Sequence, residues 1–303
     1  MKGQYHQNLV EKARGLAPIR TAVVHPVDMV SLQGVVEAVE KRLIVAVLVG
    51  PEAKIRAAAQ EAKVDLSPCE LVPAEHSHAA AAQAVAMARD RQVEALMKGS
   101  LHTEEFMSAI VREEKLHTDR RMSHVFAVDC PDYPRLLFIT DAAINIYPTL
   151  LDKVDIVQNA IDLAHAVGLA CPKVAILSAV ETVSPKIRST LDAAALCKMA
   201  DRKQITGGIL DGPLAFDNAV SEEAAKIKGI VSPVAGQADI FVVPDLEAGN
   251  MLAKQLEYLA EARIAGIVVG ARVPIILTSR ADKTLARLSS CALAVLVARH
   301  RSG

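Results

Sequence analysis

A hydroxyl, a guanidinium and a carboxylate follow one another where an apolar run near the C-terminus stops. The segment PIILTSRAD covers residues 274–282, so Ser279, Arg280 and Asp282 lie directly after its buried-type residues. A guanidinium is always charged, and its planar fork matches carboxylate and phosphate groups. The end of this run is therefore the first place to look for a site that binds an anion.

The elements that must position these residues are strands that alternate with helices. Apolar runs rich in β-branched residues are separated by stretches of 3.6-residue periodicity, which is typical of βα units and of parallel sheets buried on both faces. The predicted strands are 21–26, 43–50, 93–99, 123–128, 135–140, 173–178, 207–212, 239–244, 264–270 and 274–279. Ten strands exceed what one small open sheet usually holds, so we predict two α/β domains that divide near TDAAINIYP, residues 140–148.

Polar residues close most of these strands, where ligands of open α/β sheets bind. The closing segments are HPVD from 25, MKGS from 97, TDAAIN from 140, SAVETVSPK from 178, DGPLAFDN from 211, PDLEAGN from 244 and TSRAD from 278. Each alone is also what a turn or a helix cap requires. Together they supply Lys98, Lys186 and Arg280 beside turns that open helices, and helix N-termini favour anions. We therefore predict a phosphate-bearing substrate.

Composition and motifs exclude several other functions. The net charge of −1 and the lack of a basic block argue against nucleic-acid binding, and no apolar stretch reaches the roughly 20 residues of a membrane span. The polar N-terminus and the five scattered cysteines lead us to expect reduced thiols in a cytoplasmic protein. The chain has no P-loop, GxGxxG, GxSxG or HExxH motif, and no metal or bound cofactor is expected.

Several blocks of the sequence resemble the phosphate acetyltransferase and phosphate butyryltransferase family. These blocks are EALMKGSLHT, LLFITDAAINIYP, AILSAVETVSPKIRSTLDAAAL, GGILDGPLAFDNAVS, VSPVAGQADIFVVPDLEAGNMLAKQL and GIVVGARVPIILTSRAD. The resemblance runs from about residue 20 to the end, and it is strongest to the phosphate acyltransferase half of bifunctional proteins that also carry an enoyl-CoA hydratase. We therefore expect a stand-alone version of the transferase half, without a hydratase portion.

The resemblance implies a reaction and a layout. The expected reaction is acyl-CoA plus phosphate giving acyl phosphate plus CoA. CoA or acyl-CoA and phosphate would be substrates, and no prosthetic group would take part. The expected fold is two α/β/α domains, each with a mainly parallel sheet, and an active-site cleft between them, as in isocitrate and isopropylmalate dehydrogenases. The first domain would comprise residues 1–140 and 279–303, and the second would comprise residues 141–278. The resemblance also implies a homo-oligomer, a dimer or larger.

The resemblance assigns site residues block by block. Ser279 would hydrogen-bond the thiol or the oxyanion, and Arg280 would hold the phosphate. The better known acetyltransferases place an Asp six residues after this Arg, where this chain has Ala286, so Asp282 is either the base or a cap of the helix that begins at Lys283. The remaining residues expected to bind substrate are Lys98, Gly99, Arg121, Ser123, Asp141, Asn145, Ser184, Lys186 and Asn250.

Three alternatives stay open at this point. One methylene in an apolar pocket is worth only about 1 to 3 kcal/mol, so acetyl is preferred over butyryl on the resemblance alone. A dehydrogenase of the same layout would need a metal-binding Asp set and a nucleotide site, and the sequence lacks those motifs. A catalytically silent paralogue that binds CoA or acyl phosphate is the third possibility, because Ala286 stands where the acetyltransferases have Asp.

Overall fold

The strands and helices of this chain alternate along most of its length. The computed structural model describes residues 4–277 and 284–301. Eleven strands lie within these residues: β1 Ile19–Val24, β2 Ile44–Gly50, β3 Glu70–Pro73, β4 Ala95–Lys98, β5 Ser123–Asp129, β6 Leu137–Thr140, β7 Lys173–Leu177, β8 Ile209–Leu214, β9 Ile240–Val242, β10 Arg263–Val269 and β11 Ile275–Ile276. The same residues hold eleven α-helices: α1 Gln4–Arg14, α2 Met29–Glu40, α3 Glu52–Ala62, α4 Ser77–Arg89, α5 Thr103–Val111, α6 Leu150–Val167, α7 Arg188–Asp201, α8 Phe216–Val220, α9 Glu222–Ile227, α10 Leu246–Leu259 and α11 Thr284–His300.

Each predicted strand overlaps a strand of the structure, and one strand was missed. The missed strand is β3, a four-residue edge strand that pairs only with β2 among the described strands. It ends in proline and its residues are half-buried or exposed, so it lacks the buried run on which the prediction depends. Of the last predicted strand, 274–279, Ile275–Ile276 pair as β11, and residues 278 and 279 lie outside the described residues.

Contacts divide the chain into two compact units. The central unit comprises Met1–Tyr5 and Arg121–Ile264, and the flanking unit comprises His6–Arg120 and Ala265–Gly303. These limits differ from the predicted domain boundaries at 140/141 and 278/279, because β5 and β6 lie within the central unit. The domain boundaries themselves stay a prediction.

The flanking unit has a mainly parallel sheet with the strand order β3-β2-β1-β4-β11-β10. β1 pairs in parallel with β2 and β4, and β4 pairs in parallel with β11. Only the pairing of β10 with β11 is antiparallel among those described in this unit. Helix α4 packs on β1, β2 and β4, while α11 packs on α2 and β11. All residues of α11 from Ala286 to Val297 are buried.

The central unit has the strand order β5-β6-β9-β7-β8. β5 runs antiparallel to β6, and the other described pairings of this unit are parallel. Helix α6 contacts β5, β6 and β9, α7 contacts β7 and β8, and α10 contacts β6. The mainly parallel sheets covered by helices confirm the predicted α/β class.

Local chemistry sets the limits of the longest helix. Thr149 accepts a hydrogen bond from the Asp152 amide, and the Asp152 carboxylate accepts from the Thr149 amide, which forms a capping box at the start of α6. Gly168 ends the helix with φ of 106°, a left-handed conformation that glycine adopts without a steric penalty. This helix therefore begins directly after the polar loop that follows β6.

Candidate active site

Lys98 and Gly99 lie at the carboxyl end of β4 in the flanking unit. The Lys98 ammonium donates to the Gly99 carbonyl at 3.2 Å and to the Leu101 carbonyl at 3.1 Å. The Gly99 amide donates to the Val24 carbonyl at 2.9 Å, and a Cβ at residue 99 would lie only 2.4 Å from that oxygen. Glycine is therefore required where the loop after β4 crosses the end of β1.

A polar network next to these residues was not singled out from the sequence. The Ser100 hydroxyl donates to Asp28 Oδ2 at 2.5 Å and accepts from the Val27 amide at 3.1 Å. Asp28 also caps α2 by accepting from the Ser31 amide at 2.8 Å. The strand-end segments HPVD and MKGS are thus joined, with Asp28 in the capping role that such segments commonly have.

Asp141 organises the loop after β6 in the central unit. Its Oδ1 accepts from the amides of Ala143 and Ile144 at 2.9 and 3.0 Å. Its Oδ2 accepts from the Asn145 amide at 3.2 Å and from Asn145 Nδ2 at 2.6 Å. Because the carboxylate is buried and both oxygens face loop N–H groups, Asp141 holds the shape of the loop.

Arg121 and Asn145 are brought together beside this loop. Asn145 Nδ2 donates to the Met122 carbonyl at 3.0 Å, and Arg121 Nη1 donates to Asn145 Oδ1 at 3.4 Å. Arg121 also forms an ion pair with Asp152 at 2.8 Å, and its side chain is 51% exposed. A guanidinium held from one side and half-exposed on the other can bind an anion from solvent.

Ser123 and Asn250 have supporting positions in the central unit. Ser123 is fully buried, and its hydroxyl accepts a hydrogen bond from Asn159 Nδ2 at 2.9 Å. Asn250 on α10 donates through Nδ2 to the Ala142 carbonyl at 3.2 Å. Ser123 therefore connects the start of β5 to α6, and Asn250 holds the backbone of the loop that Asp141 organises.

Ser184 and Lys186 lie in the loop that leads into α7. The Ser184 amide donates to Thr190 Oγ1 at 2.9 Å, and the same hydroxyl donates to the Ser184 carbonyl at 2.9 Å. The Lys186 amide lies 3.4 Å from Ser184 Oγ, and its side chain is exposed. Thr190 thus fixes the loop, and Lys186 extends from it into solvent.

A buried ion pair connects α6 and α7, and its residues were not predicted from the sequence. Lys153 on α6 donates to Asp192 Oδ2 on α7 at 2.8 Å, and the two side chains are 6% and 9% exposed. Arg188, on the first turn of α7, lies 3.9 Å from the same oxygen. Lys153 and Asp192 are 39 positions apart in the sequence, so no local spacing connects them.

His124 on β5 is a further buried titratable residue that was not predicted. Its ring packs edge-on against Phe126 with a centroid separation of 4.3 Å, and its Nδ1 is buried without a hydrogen-bond partner. Burial lowers the pKa of His124 from 6.5 to about 4, and the nearby Asp141 opposes this shift. The folded protein therefore holds this imidazole neutral across most of the acidic range.

We expect this imidazole to make the protein less stable in acid. Unfolding lets the ring take up a proton at its ordinary pKa, so stability is complete above pH 6.5 and is lost as pH falls from 6.5 toward about 4. We measure the free energy of unfolding with urea at pH 7 and at pH 5. The decrease in this free energy from pH 7 to pH 5 should be about 1 to 2 kcal/mol smaller in His124→Phe than in the wild type. An identical difference in both proteins would contradict the prediction.

Three of the predicted site residues, Ser279, Arg280 and Asp282, lie outside the described residues.

Within the described ranges, no group of three His, Cys, Asp or Glu side chains has an arrangement that could hold a metal ion. Among the described helices, none combines the length and the apolar character that a membrane crossing requires.

Comparison with known proteins gives one consistent result. A family model described as "Phosphate acetyl/butaryl transferase" matches residues 75–295. The chain is 61% identical over 297 residues to a phosphate acetyltransferase of Rhizobium meliloti, with 98% of this chain and 94% of that protein covered. It is 41% identical over 294 residues to a phosphate butyryltransferase of Clostridium acetobutylicum, with 97% and 98% covered.

A solved structure matches the fold as well. A branched-chain phosphotransacylase from Enterococcus faecalis V583 superposes with a TM-score of 0.81 and 30% sequence identity. The match covers 93% of this chain and 99% of the other.

Proposed function

Because this chain belongs to the phosphate acetyl/butyryl transferase family and is an acyltransferase, we propose that the acyl group it transfers is acetyl. The reaction is acetyl-CoA plus phosphate giving acetyl phosphate plus CoA, and it is reversible. The observation that carries the proposal is the higher identity to the Rhizobium meliloti acetyltransferase than to the clostridial butyryltransferase. Butyryl is the second candidate, supported by the near-complete coverage of that butyryltransferase.

The proposed reaction centre comprises Ser279 and Arg280. In the forward direction phosphate attacks the thioester carbonyl, a tetrahedral oxyanion forms, and the CoA thiolate leaves. Arg280 neutralises the attacking phosphate, and Ser279 donates a hydrogen bond to the oxyanion or to the sulfur. In the reverse direction Asp282 is proposed as the base that takes the proton of the CoA thiol as the sulfur attacks the acyl phosphate and inorganic phosphate leaves, and capping of the following helix is its alternative role.

The described residues contribute binding and positioning in this proposal. Arg121 supplies the half-exposed guanidinium beside Asn145, and Lys98 ends β4 next to the Gly99 turn. Lys186 supplies an exposed ammonium in the loop that Ser184 and Thr190 fix. The remaining predicted residues, Ser123, Asp141 and Asn250, support these groups through the hydrogen bonds described above. CoA and phosphate are substrates in this scheme, and no resident cofactor takes part.

The test is a thiol-release assay with acetyl-, propionyl- and butyryl-CoA, each with and without phosphate. We expect phosphate-dependent release of CoA with the highest kcat/KM for acetyl-CoA. The highest value with butyryl-CoA would replace acetyl by butyryl. Release with none of the three substrates would indicate the catalytically silent paralogue instead.

We also propose that the protein is a cytoplasmic homo-oligomer. Helix α10 presents exposed apolar side chains, Met251, Tyr258 and Leu259, that are 60%, 69% and 83% accessible. Helix α11, the other apolar helix near the C-terminus, is already buried in its own unit. An apolar helix face open to solvent supports association through α10. The free cysteines are consistent with a reducing compartment.

A further inference from the structure

The carboxyl ends of β1, β4 and β11 lie side by side in the flanking unit. Lys98 of β4 pairs in parallel with Val24 of β1. On the other side of β4, Met97 pairs in parallel with Ile276 of β11. The chain continues from β11 into the segment 278–282, to which the proposed function assigns the reaction. Lys98 therefore ends the strand that is next to the one leading into this segment.

The loop after β4 holds the Lys98 ammonium. This ammonium donates to the carbonyls of Gly99 and Leu101, which are the residues on either side of Ser100. A carbonyl oxygen turns with the plane of its peptide group, so its direction depends on the backbone of the loop. The conformation of the loop around Ser100 therefore sets where this cation lies.

Asp28 fixes Ser100 from the loop that follows β1. The Ser100 hydroxyl donates to Asp28 Oδ2 at 2.5 Å, and the Ser100 amide donates to the His25 carbonyl at 2.9 Å. A hydrogen bond to an ionised group is about twice as strong as one between neutral groups. The carboxylate therefore adds a strong side-chain contact to the backbone contact that holds the same residue.

The cap of α2 alone does not require a carboxylate at residue 28. Asp28 Oδ1 accepts from the Ser31 amide at 2.8 Å, and asparagine caps helices about as well as aspartate. The second polar atom of an asparagine side chain is an NH₂ group, which cannot accept from the Ser100 hydroxyl. The contact with Ser100 is therefore the one for which the second carboxylate oxygen is needed.

We infer that Asp28 is a positioning residue for the proposed reaction. Through Ser100 it fixes the loop that holds the Lys98 ammonium, and it thereby directs this cation toward the phosphate group of the substrate. The inference rests on the proposed function, in which Lys98 binds substrate. The role of Asp28 differs from that of a catalytic residue, because Asp28 acts through two other side chains.

Two single substitutions separate positioning from capping. Asp28→Asn keeps an acceptor for the cap of α2, and Ser100→Ala leaves the capping carboxylate in place. We expect each substitution to raise the KM for phosphate about tenfold, because the charged hydrogen bond from Lys98 to the substrate is weakened. The KM for acetyl-CoA should stay within about twofold of the wild-type value.

Another Asp–Ser pair in the flanking unit supplies the matched control. The Ser67 hydroxyl donates to Asp65 Oδ2 at 2.5 Å, and the Ser67 amide donates to Asp65 Oδ1 at 2.9 Å. Both residues are exposed and precede β3, the edge strand of the sheet. Asp65→Asn and Ser67→Ala should therefore keep the KM for phosphate within about twofold of the wild-type value.

A double-mutant cycle shows whether Asp28 acts through Lys98. Lys98→Met removes the ammonium and should raise the KM for phosphate about tenfold or more. Adding Asp28→Asn to Lys98→Met should cause no further rise, because the cation that Asp28 directs is gone. Effects that multiply in the double variant would show independent roles and overturn the inference.

Calorimetric titration with inorganic phosphate, in the presence of CoA, tests the same inference without requiring turnover. We expect Asp28→Asn and Ser100→Ala to bind phosphate about tenfold more weakly than the wild type. Equal binding by the wild type and both variants, or no binding by the wild type, would overturn the inference even if the enzyme transfers acetyl groups. Weaker binding by both variants of a protein that releases no CoA from any acyl-CoA would leave the positioning role standing and contradict the proposed function.

Discussion

Replacing Arg280 by alanine is expected to lower phosphate-dependent release of CoA by about 10²-fold or more. Removal of one preorganised group that stabilises transition-state charge commonly costs about 10² to 10³ in kcat. The loss here should be at the upper part of that range, because a full positive charge disappears from the reacting phosphate. The measurement is steady-state turnover with saturating acetyl-CoA and varied phosphate.

Further variants assign the effect to the guanidinium. Arg280→Lys keeps the charge but loses the two-pronged fork, so it should recover only part of the activity. Arg202→Ala changes an exposed arginine and should behave as the wild type. Full activity in Arg280→Ala would show that another cation holds the phosphate, and Arg121 would then be the first candidate.

The largest expected loss of stability follows from Asp192→Ala. This change leaves the Lys153 ammonium, only 6% exposed, without its carboxylate partner. Breaking a buried ion pair from one side typically costs about 3 to 5 kcal/mol, because an uncompensated charge remains in a poorly solvated place. Urea unfolding at pH 7 measures the loss as a lower midpoint.

Two companion variants separate this effect from general sensitivity of α7. Asp201→Ala removes a carboxylate from the same helix whose partner, Lys198, is exposed, and its unfolding midpoint should be almost unchanged. Lys153→Met combined with Asp192→Leu removes both charges and should recover most of the stability lost in Asp192→Ala. Equal midpoints for Asp192→Ala and Asp201→Ala would contradict the prediction.

The sequence predicts the frame of this fold well, because buried parallel strands have a strong local pattern. β2 is an example, since six of its seven residues are buried and the run is nearly all Val, Leu and Ile. β3 was not predicted, because an exposed edge strand lacks this run of buried apolar residues. The limits of the two units also follow from pairing between distant segments, such as β4 with β11, and pairing partners cannot be inferred from one strand alone.

Residues of the candidate site were predictable only where charged or polar side chains lie at the ends of predicted strands. Arg121 and Asn145 were predicted separately as substrate-binding residues, and the structure brings them together. Lys153 and Asp192 were not predicted, because each occupies an ordinary position on a helix and their contact depends on how α6 and α7 pack. His124 was missed for the same reason, since its burial follows from the layers above and below β5 rather than from its neighbours in sequence.

The division of the flanking unit between two separate stretches of chain sets an order of assembly during synthesis. The central unit, apart from Met1–Tyr5, is one continuous stretch that is complete once Ile264 has left the ribosome. β4 and α2 emerge earlier, but the strand that pairs with β4, β11, and the buried helix that packs on α2, α11, are translated last. Domains generally fold as units during translation, so the part made first is finished last, and a chain that stops before α11 leaves α2 and β11 without the helix that packs on them.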